Sequence, residues 1–178
     1  MNVEKTPIED LLVITPKLFE DDRGYFFESY SEASFAKYGI DLKFIQDNQS
    51  SSKYGVIRGL HLQAAPYAQS KLVRVLQGEI LDVAVDIRKD SKTYGQHYSI
   101  VLSAENRKQL LVPKGFAHGF SVLSENAVVF YKVDAIYNKE SERGIRFDDP
   151  SLSIDWKIAP SKVIVSEKDV LLGTINDL

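Results

Sequence analysis

Short β-branched runs in which apolar and polar residues alternate dominate this chain, and that rhythm predicts a β protein. Residues 71–76 (KLVRVL) and 80–87 (ILDVAVDI) are two such runs, separated by Gln77-Gly78-Glu79, which reads as a hairpin turn. Residues 98–102, 109–112, 118–123 and 127–137 (AVVFYKVDAIY) are further strand candidates with turn signals between them. Such spacing suits sandwiches, jelly rolls and barrels. In 80–87, Leu81, Val83, Val85 and Ile87 share one face, and Asp82, Ala84 and Asp86 the other. One face should pack while the other is wet or lines a polar pocket.

Helices are few and peripheral in this reading. Residues 31–38 begin with a capping serine and stop before Gly39, which predicts a short helix. Ser166-Glu167-Lys168-Asp169 has capping-box spacing and predicts the start of a second. The expected architecture is mainly β, an antiparallel barrel with short peripheral helices.

Composition narrows the function classes. The 178 residues suit one domain spanning 1–178, and an apolar share of 44% is enough for a sizeable core. A net charge of −3 recommends neither a nucleic-acid nor a membrane-surface partner, though it leaves room for a local basic pocket. No cysteine is present, which removes disulfides, thiolate zinc sites and cysteine nucleophiles. The opening MNVEKTPIED has no apolar run of the signal-peptide kind, so a cytoplasmic location is expected.

Three histidines can carry chemistry: His61, His97 and His118. A lone histidine is more often structural than functional, and His97, in polar surroundings next to a turn, is read that way. The segment Pro113-x-Gly115-x-x-His118 resembles the second signature of the cupin superfamily, whose fold is a jelly roll or double-stranded β-helix. Metal-binding cupins carry a His-x-His pair in their first signature, whereas the comparable segment here is His61-Leu62-Gln63. Two histidines and a neutral amide make a poor metal site, so no metal is expected.

Five segments occur in order: Phe19-x-Asp21-x-Arg23-Gly24-x-Phe26-x-Glu28, Gln46-Asp47-Asn48-x-Ser50, Arg58-Gly59-Leu60-His61-x-Gln63, Ala117-His118-Gly119-Phe120 and Arg146-x-Asp148-Asp149-Pro150. Together they resemble the dTDP-4-dehydrorhamnose 3,5-epimerase family over nearly the whole chain. That resemblance implies proton removal and return at C3 and C5 of a dTDP-linked 4-keto-6-deoxy sugar, without cofactor. It implies His61 as the base, Asp169 as the carboxylate orienting it, Tyr131 as the proton donor and Lys71 beside the keto oxygen. Asp169 has a competing reading as a capping-box residue, and Lys71 as a solvated strand end. The same resemblance puts Arg23, Arg58 and Lys168 at phosphate or nucleotide contacts. Glu28, Gln46, Asn48 and Glu142 fall at hydrogen-bonding positions to the nucleotide. His118, Tyr137 and Phe26 complete the substrate-binding set, with Tyr137 expected on the same strand and face as Tyr131. In the family, the N-terminal segment (about 1–50) reaches the neighbouring subunit's site, which implies a homodimer with Arg23 acting in trans. Leu62 stands where relatives often carry an aromatic residue, and an altered wall rather than altered chemistry is expected. Rival readings are an epimerase acting at only one carbon, a non-catalytic sugar-nucleotide-binding cupin and a metal-dependent cupin.

Overall fold

The computed structural model describes residues 1–178. Its strands are β1 (Asn2–Lys5), β2 (Leu12–Thr15), β3 (Phe19–Asp21), β4 (Gly24–Phe26), β5 (Gln46–Lys53), β6 (Ile57–Gln63) and β7 (Lys71–Gln77). They continue with β8 (Glu79–Asp86), β9 (His97–Ser103), β10 (Gln109–Val112), β11 (Phe116–Val122), β12 (Asn126–Val133) and β13 (Glu142–Gly144). A six-stranded sheet in the order β1-β2-β10-β7-β12-β5 faces a five-stranded sheet in the order β13-β6-β11-β8-β9, and β3 and β4 form a separate hairpin. All these strand pairs are antiparallel. The cupin-like jelly-roll expectation holds.

Alternation along the strands sorts the apolar side chains into three cores. Val73, Val75, Leu110, Val112, Ala127 and Val129 of the large sheet meet Ile80, Ala84, Leu102, Phe116, Phe120 and Val122 of the small one, in the space between the sheets. Leu81, Val83 and Val85 point the other way, onto Ile145, Leu152, Trp156 and Ile175 of the C-terminal segment. Outside the large sheet, Leu72 and Leu111 pack against Phe35 and Ile40. Phe35 belongs to α1 (Glu32–Ala36), whose Ser31 cap accepts the Ser34 N–H at 3.3 Å.

Two expectations change. Residues 77–79 do not form a hairpin turn, because β7 and β8 lie in different sheets. Gly78, at φ +77, instead passes the chain from one sheet to the other, and a Cβ there would collide with the Asn126 carbonyl. The strand expected over 127–137 ends at Val133, so Tyr131 and Tyr137 do not share a strand. Of the two readings open for the second face of β8, the wet one fails: Asp82, Ala84 and Asp86 are fully buried, Ala84 in the core between the sheets and Asp82 against His118 at the cavity wall. One strand that the hydrophobic pattern does not predict is β5, QDNQSSSK. Its inward positions Gln46, Asn48, Ser50 and Ser52 are all polar; the first three border a cavity rather than a core, and Ser52 meets Arg58.

Candidate active site

The site opens between β5, β6, β7, β11 and β12, at the polar end of the space between the sheets. On β6, Gly59 has φ +124, and a Cβ built there would fall 2.6 Å from the Gly119 Cα of β11. Paired glycines thus let the two strands approach closely, with His61 in register opposite His118.

Asp169 arrives from the far end of the chain on α2 (Glu167–Val170). Ser166 caps that helix, its Oγ accepting the Asp169 N–H at 3.1 Å. The Asp169 carboxylate does not complete a capping box. Its Oδ1 lies 2.8 Å from His61 Nε2, and its Oδ2 accepts the Gly59 N–H at 3.3 Å. An ionised carboxylate only accepts, so in the neutral ring Nε2 is the nitrogen that carries the proton and Nδ1 the one with the lone pair. Burial works against the charge on Asp169, but the hydrogen bonds from His61, Gly59 and Ser166 together with the pull of His61 hold its carboxyl below the ordinary range.

Lys71, at the start of β7, donates from Nζ to the His61 carbonyl at 3.3 Å. Loss of hydration draws its ammonium down to about 8, against the pull of Asp82 and Glu142. Tyr131 on β12 stands in register with Val73 and Asn48. Burial raises its phenol above the ordinary value, and the Arg58 charge opposes the rise. A phenol in that state stays protonated near neutral pH and can donate.

His61, Lys71 and Tyr131 all line two adjoining cavities, of about 520 and 350 Å³. The larger also receives Arg58, His118, Lys168 and Asp169. Gln46, Asn48, Tyr137 and Glu142 border the smaller. Along the rim, Lys168 Nζ lies 2.6 Å from Glu142 Oε1, and the Tyr137 hydroxyl donates to Glu142 Oε2 at 2.8 Å. Hydrogen bonding to Glu142 holds the Lys168 ammonium above its usual range. Leu62 is buried in the outer core and touches the smaller cavity, so its substitution bears on the wall. His97, on β9 beside Val85, borders neither cavity.

Three expected residues are not brought in. Arg23 sits in the β3–β4 turn with an 89% exposed side chain, paired to Asp21 at 2.5 Å. Phe26 is exposed on the same hairpin, and Glu28 accepts from Ser34 Oγ at 2.7 Å. None of the three lines either cavity of its own chain.

The structure also adds residues that sequence reasoning passed over. Asp82 Oδ1 lies 2.8 Å from His118 Nε2, while its Oδ2 is buried without a partner. Its inward placement was readable from the alternation of 80–87, but its partner was not. Ser52 Oγ accepts from Arg58 Nε at 3.0 Å and aims the guanidinium. Gln63 accepts the Asn138 N–H at 2.8 Å, so the residue at the would-be metal-ligand position fastens a loop.

The chain matches known proteins over nearly its whole length. The family model described as dTDP-4-dehydrorhamnose 3,5-epimerase matches residues 5–177. The dTDP-4-dehydrorhamnose 3,5-epimerase of Shigella flexneri is 50% identical over 171 residues, which cover 96% of this chain and 93% of that protein. The crystal structure of dTDP-4-dehydrorhamnose 3,5-epimerase from Elizabethkingia anophelis NUHP1 superposes with a TM-score of 0.96 at 53% identity, over 99% of this chain and 97% of the other. The dTDP-6-deoxy-D-glucose-3,5-epimerase of Legionella pneumophila Philadelphia 1, solved in complex with dTDP-4-keto-L-rhamnose, gives 0.94 at 46% identity, over 98% and 93% of the two chains. With its length, its double-sheet fold and its sequence all matched from end to end, the chain belongs to the dTDP-4-dehydrorhamnose 3,5-epimerase family.

Proposed function

We propose that this chain is an isomerase that inverts C3 and C5 of dTDP-4-dehydro-6-deoxy-D-glucose, giving dTDP-4-dehydro-L-rhamnose on the route to dTDP-L-rhamnose. The observation that carries the reading is the convergence of the His61–Asp169 pair, Lys71 and Tyr131 on one cleft.

The chemistry follows from the ketone. A hydrogen on a carbon next to C4 is acidic only because the electron pair left behind delocalises onto the C4 oxygen. His61 removes that proton through Nδ1, while Asp169 holds Nε2–H and stabilises the imidazolium that forms. The Lys71 ammonium offsets the charge growing on the C4 oxygen. Tyr131 then returns a proton to carbon from the opposite face, and the same sequence repeats at the second carbon. After each inversion His61 releases its proton to solvent and the Tyr131 phenolate takes one up, which resets both groups for the next carbon and leaves configuration as the net change.

Binding divides along the cleft. Arg58, His118 and Lys168 flank the sugar and diphosphate, for which arginine forks and ammonium groups are suited. Gln46, Asn48, Tyr137 and Glu142 receive the nucleotide. Arg23, Phe26 and Glu28 serve the site of a second copy, which makes the working unit a homodimer, each subunit one domain over 1–178 whose first 50 or so residues reach across. The cytoplasm is the compartment that supplies nucleotide sugars, and surface polysaccharide is their destination.

The test is a coupled assay with the dTDP-4-keto-6-deoxy sugar and a nicotinamide-dependent ketoreductase that accepts only the L-configured product. Reduction should require this chain and stop in His61→Asn. Reduction at the wild-type rate with His61→Asn would refute the assignment.

A further inference from the structure

The segment Arg146-x-Asp148-Asp149-Pro150 has no part in the chemistry above, yet it contains a buried carboxylate. Arg146 and Asp148 pair with each other at the surface. Asp149, by contrast, is 2% exposed. Its Oδ1 accepts the Ser151 N–H at 2.8 Å and the Ser151 hydroxyl at 2.7 Å, and its Oδ2 accepts the Ile175 N–H at 2.7 Å. Burial opposes the charge, but these donors, led by Ile175, keep the carboxyl below its usual range.

Ile175 lies six residues beyond Asp169, on the same strap of chain. Two carbonyl-to-amide bonds fix that strap before α2, where Ile164 exchanges hydrogen bonds with Gly55 and Ile57. After α2 it is held by the Arg146 N–H, which donates to the Gly173 carbonyl at 2.7 Å, and by Asp149 on Ile175. Leu172 packs against Gly144, the residue opposite His61 in the sheet. Between these clamps, α2 has little packing of its own: Val170 is 56% exposed and Leu171 84%. A four-residue helix so thinly supported takes its position from its two ends.

We infer that Asp149 is a positioning residue for the reaction, fastening the C-terminal strap so that Asp169 meets His61 at hydrogen-bond distance. The inference rests on the proposed roles of His61 and Asp169, and it adds a residue that touches neither substrate nor base.

The experiment uses Asp149→Asn, which keeps the shape but places an amide against donors. Proton NMR of the full-length protein reads the low-field imidazole N–H signals. One belongs to His61 on Asp169 and disappears in His61→Asn, and the other to His118 on Asp82 serves as the internal reference. In Asp149→Asn the His61 signal should broaden or vanish while the His118 signal persists. The kcat should fall about 10- to 100-fold at unchanged KM, the effect expected of a small misplacement. Combined with Asp169→Asn, it should add no further loss, since both act through one contact. An unaltered His61 signal, or losses that multiply in the double variant, overturns the inference. If Asp149→Asn fails to fold, Ser151→Ala removes one donor to the carboxylate and should weaken the same signal by a smaller amount, and an unchanged signal there counts against the inference equally. A wild-type chain without epimerase activity would defeat the proposed function, whereas the signals would still report whether Asp149 sets the contact.

Discussion

Asp169 Oδ1 stands 2.8 Å from His61 Nε2, across 108 positions of sequence. That contact decides which imidazole nitrogen is basic, because only Nε2–H can satisfy the carboxylate. Asp169→Asn should therefore stabilise the wrong tautomer and leave the fold intact. Its kcat is expected to fall about 10²- to 10⁴-fold, as for other histidine–carboxylate pairs, with dTDP affinity retained. Steady-state kinetics and calorimetric binding check this, and wild-type kcat in the variant would remove Asp169 from the mechanism.

Lys71 gives the pH dependence a sign. Its ammonium, lowered to about 8, must be charged to stabilise the enolate, so kcat/KM should decline as pH rises through about 8. Tyr131, raised by burial, stays protonated over that range and does not account for the decline. Lys71→Arg, charged throughout, should lower activity and abolish this basic limb. Stability should run the other way: the unfolded chain holds the Lys71 proton up to its ordinary 10.5, so the folded state gains as pH climbs from about 8 to that value. A basic limb that survives Lys71→Arg would assign it to another group.

Tyr131→Phe separates proton removal from inversion. Without the phenol, product formation should slow about 10²- to 10⁴-fold, the usual range for a lost general acid. Solvent deuterium should still enter the substrate without change of configuration, because His61 can return what it removes. Product NMR distinguishes the two. Inversion at the wild-type rate would mean that another donor supplies the second face.

Subunit sharing predicts complementation. Arg23→Ala and His61→Asn should each be poorly active alone. Mixed and reassembled, random pairing gives half heterodimers with one intact site of two, restoring about one quarter of the wild-type rate. Activity no higher than the sum of the parents would place Arg23 and His61 in the site of one and the same subunit and contradict the sharing.

How much of this was legible in the sequence depended on whether a signal was local. The apolar strands β7, β8 and β10 stand out because their inward residues pack a core, and the α1 and α2 caps stand out because Ser31 and Ser166 act within three residues. What hid was long-range or polar. β5 escaped because its inward side chains face a cavity, so no apolar alternation marks it. The 77–79 segment looks like a hairpin in sequence because turn chemistry does not say which sheet receives the next strand. His61, Lys71, Tyr131 and Asp169 were named through family resemblance, since spacing alone cannot bring positions 61 and 169 together. Asp149 lies within a recognisable motif and Asp82 within a recognisable strand, but their partners Ile175 and His118 stand 26 and 36 positions away, and no local signal marks either contact.

In the proposed mechanism His61 takes protons from both carbons flanking the ketone. Proton NMR of dTDP-4-keto-6-deoxyglucose in D2O with the purified protein tests it most directly. Deuterium should enter at both C3 and C5 with wild-type protein and at neither with His61→Asn. Entry at one carbon alone would make the protein a mono-epimerase, and entry at both with His61→Asn would show that another group is the base.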